Sequence, residues 1–114
     1  MDLNLQYRLG KAAFERRNYR GAARYFSAVL DEVGHDTNVL EYRARSYYHS
    51  AALTKAEADC RTILERTPTE EYALLLLVRS LERQQRHDEA LEYRRVLAAY
   101  SGRAGDIAGH EVFG

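Results

Sequence analysis

Three basic residues, Lys11, Arg45 and Arg79, recur every 34 positions along a chain of 114 residues. Four positions before and three after them stand Tyr7 and Phe14, Glu41 and Tyr48, and Leu75 and Glu82, with Tyr72 just ahead of Leu75. On a helix those offsets share one face. A row of cations set among rings and aliphatic carbons suits a ligand that alternates carboxylates with apolar anchors. A guanidinium forks onto a carboxylate, and a tyrosine ring buries area while its hydroxyl stays wet. The same spacing also permits internal neutralisation, of Arg45 by Glu41 and of Arg79 by Glu82 or Glu71.

Catalytic and metal chemistry find less to work with. The chain contains no GxxxxGK[ST], GxGxxG, HExxH or GxSxG pattern. His35, His49, His87 and His110 form no i, i+4 ligand pair, and His35 and His87 are expected in solvated turns. Cys60 is the only cysteine, so no intrachain disulfide and no Cys-based metal site can form. A small buried role is expected for it. No enzyme activity, metal or cofactor is expected.

Composition points the same way. Seventeen basic and seventeen acidic residues balance to a formal net charge of +0, which disfavours nonspecific nucleic-acid binding, since that needs a surplus of positive charge. The apolar run LLLLV at 74–78 is too short to span a bilayer, and the first residues lack the pattern of a signal peptide. No membrane association is expected, and the lone cysteine fits a reducing cytoplasmic setting. Arginine far outnumbers the two lysines, Lys11 and Lys55, and alanine is common; this suggests a GC-rich bacterial genome.

The elements that must position these residues are helices. Ala, Leu, Arg and Glu dominate, proline occurs once, and no segment alternates strictly between apolar and polar residues. Apolar spacing predicts six helices, about 3–16, 20–33, 37–50, 54–66, 70–84 and 88–100. Thr54-Lys55-Ala56-Glu57 reads as a capping box, and Thr69 and Asp88 as N-caps.

The 34-residue step extends beyond the cations. It relates the small residues Ala22, Ala56 and Ala90, the aliphatic Val29, Ile63 and Leu97, and the helix breakers Gly34, Pro68 and Gly102. Three chemically coherent triplets at one period indicate a repeated helix–turn–helix unit. The first unit carries Leu9-Gly10, Ala12, Phe14, Asn18-Tyr19, Ala22, Tyr25-Phe26 and Val29-Leu30. The second carries Tyr47-Tyr48, Ala56, Ile63-Leu64 and Pro68, and the third Leu74, Leu77, Leu81 and Asp88-Glu89-Ala90-Leu91-Glu92-Tyr93. On these residues the sequence resembles the tetratricopeptide repeat family over about 3–102. Three positions depart from the pattern: Val78 in the slot of Gly10 and Ala44, Arg43 in that of Leu9 and Leu77, and Arg94 in that of Phe26 and Cys60. Looser packing in the later units, or a local shift of register, is expected from them.

The resemblance implies an all-α, right-handed α-solenoid of three antiparallel helix pairs with little or no strand. It would form one domain over 1–102, with repeats of about 3–36, 37–70 and 71–102 and a flexible Gly-rich tail at 103–114. It implies a protein-interaction adaptor that binds a peptide or partner helix on the concave face lined by the first helix of each unit. The contact set is Tyr7, Lys11, Phe14, Glu41, Arg45, Tyr48, Tyr72, Leu75, Arg79 and Glu82, and the partner is acidic with apolar anchors. Some family members clamp a chaperone's C-terminal carboxylate at five slots. Here those slots read Tyr7, Lys11, Tyr42, Tyr72 and Leu76, and only Lys11 is suited to that role. Two alternatives remain: a nucleic-acid-binding helical repeat using the Lys11, Arg45 and Arg79 ladder, and self-association through an uncovered last helix. In the latter, Leu91, Val96, Leu97 and Tyr100 would pair two chains or receive the tail through Ile107, Val112 and Phe113.

Overall fold

A computed structural model of the chain describes residues 2–101. Six helices follow one another: α1 Leu3–Glu15, α2 Tyr19–Val33, α3 Thr37–His49, α4 Leu53–Arg66, α5 Glu71–Arg83 and α6 His87–Ser101. No strand occurs among the described residues. Every boundary falls within one residue of the sequence expectation. The expected tail at 103–114, with Ile107, Val112 and Phe113, lies outside the described residues.

Each helix packs against the next, and the first helices also touch across units, α1 with α3 and α3 with α5. The result is an all-α solenoid elongated to 44 × 25 × 20 Å. The period seen in the sequence is a packing period. Ala22, Ala56 and Ala90 are buried, and so are Val29, Ile63 and Leu97. Gly10 lets α1 close onto α2: a Cβ there would lie 2.7 Å from the Phe26 ring. Phe26 is fully buried, worth about 2–3 kcal/mol from the area it removes from water.

The turns inside the three units share one backbone shape. Arg17, Ala51 and Gln85, again 34 apart, adopt positive φ of 63°, 62° and 62°. The next amide returns to the carbonyl five residues back: Asn18 to Ala13 at 2.8 Å, Ala52 to Tyr47 at 2.8 Å and Arg86 to Leu81 at 3.0 Å. These are Schellman closures made without glycine. Between units the breakers differ. Gly34 ends α2 at φ 78°, and Pro68 stands in the short link from α4 to α5.

The capping assignments need correction. Helix α4 begins at Leu53 behind Ala52, with no side-chain cap, so the Thr54–Glu57 box does not form. Glu57 is engaged by Arg61, Gln84 and Arg86 instead. Glu70, not Thr69, caps α5 by accepting the Tyr72 amide, and Asp88 lies inside the first turn of α6. Asp2, Asn18 and Asp36 cap α1, α2 and α3.

The expected loosening is also absent. Val78 is fully buried, and Ala90 and Leu97 keep their register. Arg94 is buried in the aromatic slot and donates its Nε to Glu82 at 2.8 Å. Arg43 is fixed by Asp59 and Ser27. At both arginine positions an ion pair replaces apolar filling. On α6, Leu91, Val96 and Tyr100 are exposed. Leu97 is not: it is buried and belongs to the interior.

Candidate functional site

The first helices form a continuous surface, and its centre is aromatic. Tyr7, Phe14 and Tyr42 meet edge to face across α1 and α3, with centroids 6.3 Å apart for Tyr7–Tyr42 and 5.7 Å for Phe14–Tyr42. Tyr42 also stacks on the buried Phe26, centroids 5.4 Å apart. The Tyr7 hydroxyl accepts from Asn38 Nδ2 at 2.7 Å. At the far end of α1, Tyr19 stacks on His49 at 4.7 Å, and Phe14 abuts both. Half-buried rings held by other rings are positioned before any ligand arrives.

The cations lie on this platform. Lys11 Nζ is 5.4 Å from the Tyr7 centroid and 5.8 Å from that of Tyr42. The Arg45 guanidinium lies 4.7 Å from Phe14, 5.4 Å from Tyr42 and 5.6 Å from Tyr72, rings contributed by α1, α3 and α5. Its Nε is buried with no hydrogen-bond partner among the described residues. Glu41 faces the same region. Burial and the nearby Glu70 raise its carboxyl above the ordinary value, and Arg45 pulls it partly back.

The third rung differs. Arg79 pairs with Glu82 at 3.6 Å, and Glu82 is also the acceptor for Arg94. Tyr48 is largely covered: the Arg83 guanidinium lies 4.7 Å from its ring centroid and donates to its backbone carbonyl at 3.0 Å. Leu75 is half-buried. Tyr7, Lys11, Phe14, Arg45 and Tyr72 thus gather around Tyr42. Arg79, Glu82 and Tyr48 are drawn into contacts around α5 and α6.

The sequence marks Tyr42, the ring both cations share, only as one of the five carboxylate slots. Its signal was present in the spacing to Arg45, three residues on, and in the 34-residue route back to Arg8 and forward to Leu76, neither of them aromatic. Cys60 is buried, and burial pushes its thiol pKa well up, with the charges of Asp59, Glu41 and Glu57 adding to the effect. Among the described residues no cluster of His, Cys, Asp and Glu could hold a metal. No helix there is long and apolar enough to cross a membrane.

Comparison with solved structures yields the same architecture. The tetratricopeptide repeat domain of Arabidopsis OM64 superposes with a TM-score of 0.82 at 17% identity, over 94% of this chain and 89% of that one. The yeast Sti1 domain TPR2B in complex with an Hsp70 peptide gives 0.78 at 16% identity, covering 91% and 83%. The first such domain of Spaghetti (RPAP3), bound to the HSP90 peptide SRMEEVD, gives 0.82 at 15%, covering 93% and 84%. No curated protein matches the chain. The profile of the tetratricopeptide repeat family matches residues 7–71, more than half of the sequence, and the chain belongs to that family.

Proposed function

We propose that the chain is a protein-interaction adaptor that takes a peptide or partner helix on the face of its first helices. The ligand brings carboxylates to Lys11 and Arg45 and lays apolar side chains against Tyr7, Phe14 and Tyr72. The observation that carries this reading is the Arg45 guanidinium, packed among rings from three helices with a buried Nε that no group among the described residues satisfies. A partly exposed cation held in place by rings meets an incoming carboxylate with little added ordering cost. The Sti1 and Spaghetti domains, alike in fold, are complexed with chaperone peptides, which supports a peptide ligand in general. The slots Tyr7, Tyr42, Tyr72 and Leu76 argue for a different contact chemistry from a carboxylate clamp.

The test is selection of binders from a random-peptide display library on the wild-type chain, followed by affinity measurement on variants. K11Q/R45Q is expected to weaken selected acidic peptides by at least about tenfold, and R79Q by much less, because Arg79 already serves Glu82. Unchanged affinity in K11Q/R45Q overturns the reading.

A further inference from the structure

A second concavity lies on the other side of α3. It is a groove of about 650 Å³ between α2 and the turn from α3 into α4. Tyr47, which lines it, is two residues from Arg45, about 200° around the helix, so the two surfaces face apart.

The groove carries uncompensated charge. Arg20 and Arg24, one turn apart on α2, and Lys55 on α4 all line it and are exposed. None of the three forms an ion pair among the described residues. The one acid on its wall, Asp31, acts on Arg43 behind it. Between the cations the wall is methyl groups, Ala23 and Ala28 of α2. Their size creates the space.

The wall is also rigid. The Tyr47 ring has the Arg43 guanidinium 5.6 Å from its centroid and Lys55 Nζ 5.7 Å from it. Arg43 is itself held by Asp59 at 2.7 Å and donates to Ser27, another lining residue, at 3.1 Å. A large apolar side chain entering here meets a preformed surface, so little ordering cost is added.

We infer that this groove docks an acidic segment of a partner protein. One large apolar side chain sits between the α2 alanines and Tyr47, and flanking carboxylates meet Arg20, Arg24 and Lys55. The charge surplus selects the acids, and the alanine wall selects the apolar anchor. A nucleic acid would meet the same cations, but its charged, hydrated backbone has nothing to bury against Ala23, Ala28 and the Tyr47 ring, whereas a large apolar side chain does. The peptide is therefore the occupant the lining favours. This site is independent of the face that holds Lys11 and Arg45.

The experiment is panning of a random-peptide display library on the full chain carrying K11Q/R45Q, which removes the cations of the other face and leaves the groove intact. Enrichment of sequences with several Asp or Glu residues beside Leu, Ile, Phe or Trp is expected. Their affinity should fall by at least about tenfold in R24E/K55E and also in A28W, which fills the groove without touching its charge. Thermal melts check that both variants fold; Arg24 and Lys55 are exposed, so R24E/K55E decides alone if A28W does not. No enrichment, enriched sequences without acids, undiminished binding to R24E/K55E, or displacement of the peptide by an equal concentration of a short single-stranded RNA would each overturn the inference.

Discussion

Arg43 and Asp59 are joined by a two-pronged pair, Nε to Oδ2 at 2.9 Å and Nη2 to Oδ1 at 2.7 Å. The remaining arm of Arg43 donates to Ser27 Oγ at 3.1 Å. One side chain therefore bolts α3 to both α2 and α4, at the junction of the first two units. Burial raises the Asp59 carboxyl, and Arg43 offsets part of that. The pair costs nearly what it returns, yet either half alone is expensive.

Removing one partner strands the other. Asp59→Ala is expected to destabilise the fold by about 2–4 kcal/mol, read as a lower urea midpoint. The double replacement R43M/D59L is expected to cost much less than the two single changes summed. Additive losses would show that the pair is not coupled.

Gly10→Ala tests the closest approach in the array. The added Cβ meets three ring atoms of Phe26 at 2.7–3.0 Å, and the ring is fully buried. Overpacking of that kind costs about 1–3 kcal/mol. Phe26→Leu in the same background is expected to recover part of the loss of melting temperature caused by Gly10→Ala, although alone it is destabilising.

Glu57 sets an acid limb of stability. Burial alone would raise its carboxyl, but hydrogen bonds from Gln84, Arg86 and Arg61 overcome this and hold it below the ordinary value of 4.5. A depressed folded pKa contributes stability that is fully present above the unfolded value and is lost as pH falls through the folded one. Wild type is therefore expected to lose stability below about pH 4.5. Glu57→Gln is expected to lie about 1–3 kcal/mol lower at neutral pH, with the gap closing in acid. Urea melts across pH 3–7 on both proteins measure it.

Cys60 offers a probe of opening. It is fully buried, and its thiol is pushed well above the ordinary range by burial. Alkylation by iodoacetamide is expected to be slow in the native chain and to accelerate with urea in step with the opening equilibrium. Labelling at the rate of a free thiol in water would contradict the buried placement.

The helices were legible because their information is local. Apolar spacing and the Gly34 and Pro68 breaks act over a few residues, the alanine period repeats them from unit to unit, and together they located every helix end to within a residue. The caps were less legible. Thr54 and Glu57 have the right spacing for a box, but Glu57 is claimed by Arg86 and Gln84, 29 and 27 residues further on. Arg43 and Arg94 read as flaws for the same reason. Their carboxylate partners lie 16 and 12 residues away on other helices, and no periodicity names them. At the candidate site the i, i+3 pairing of Arg79 with Glu82 could be read from spacing. The enclosure of Arg45 by rings from three helices could not, because it depends on how α1, α3 and α5 abut.

The corner at Arg17, Ala51 and Gln85 bears on what the repeat consists of. A guanidinium, a methyl and an amide occupy the same left-handed backbone position, although each accepts strain of about 1–2 kcal/mol that glycine would escape. What passes from unit to unit is thus a geometry and an interval, not a residue type. The family profile ends at residue 71, whereas the corner recurs at Gln85 with the same dihedral. The third unit lies beyond the matched profile yet turns the same corner, so its shape rests on an interval and a dihedral rather than on a fixed residue.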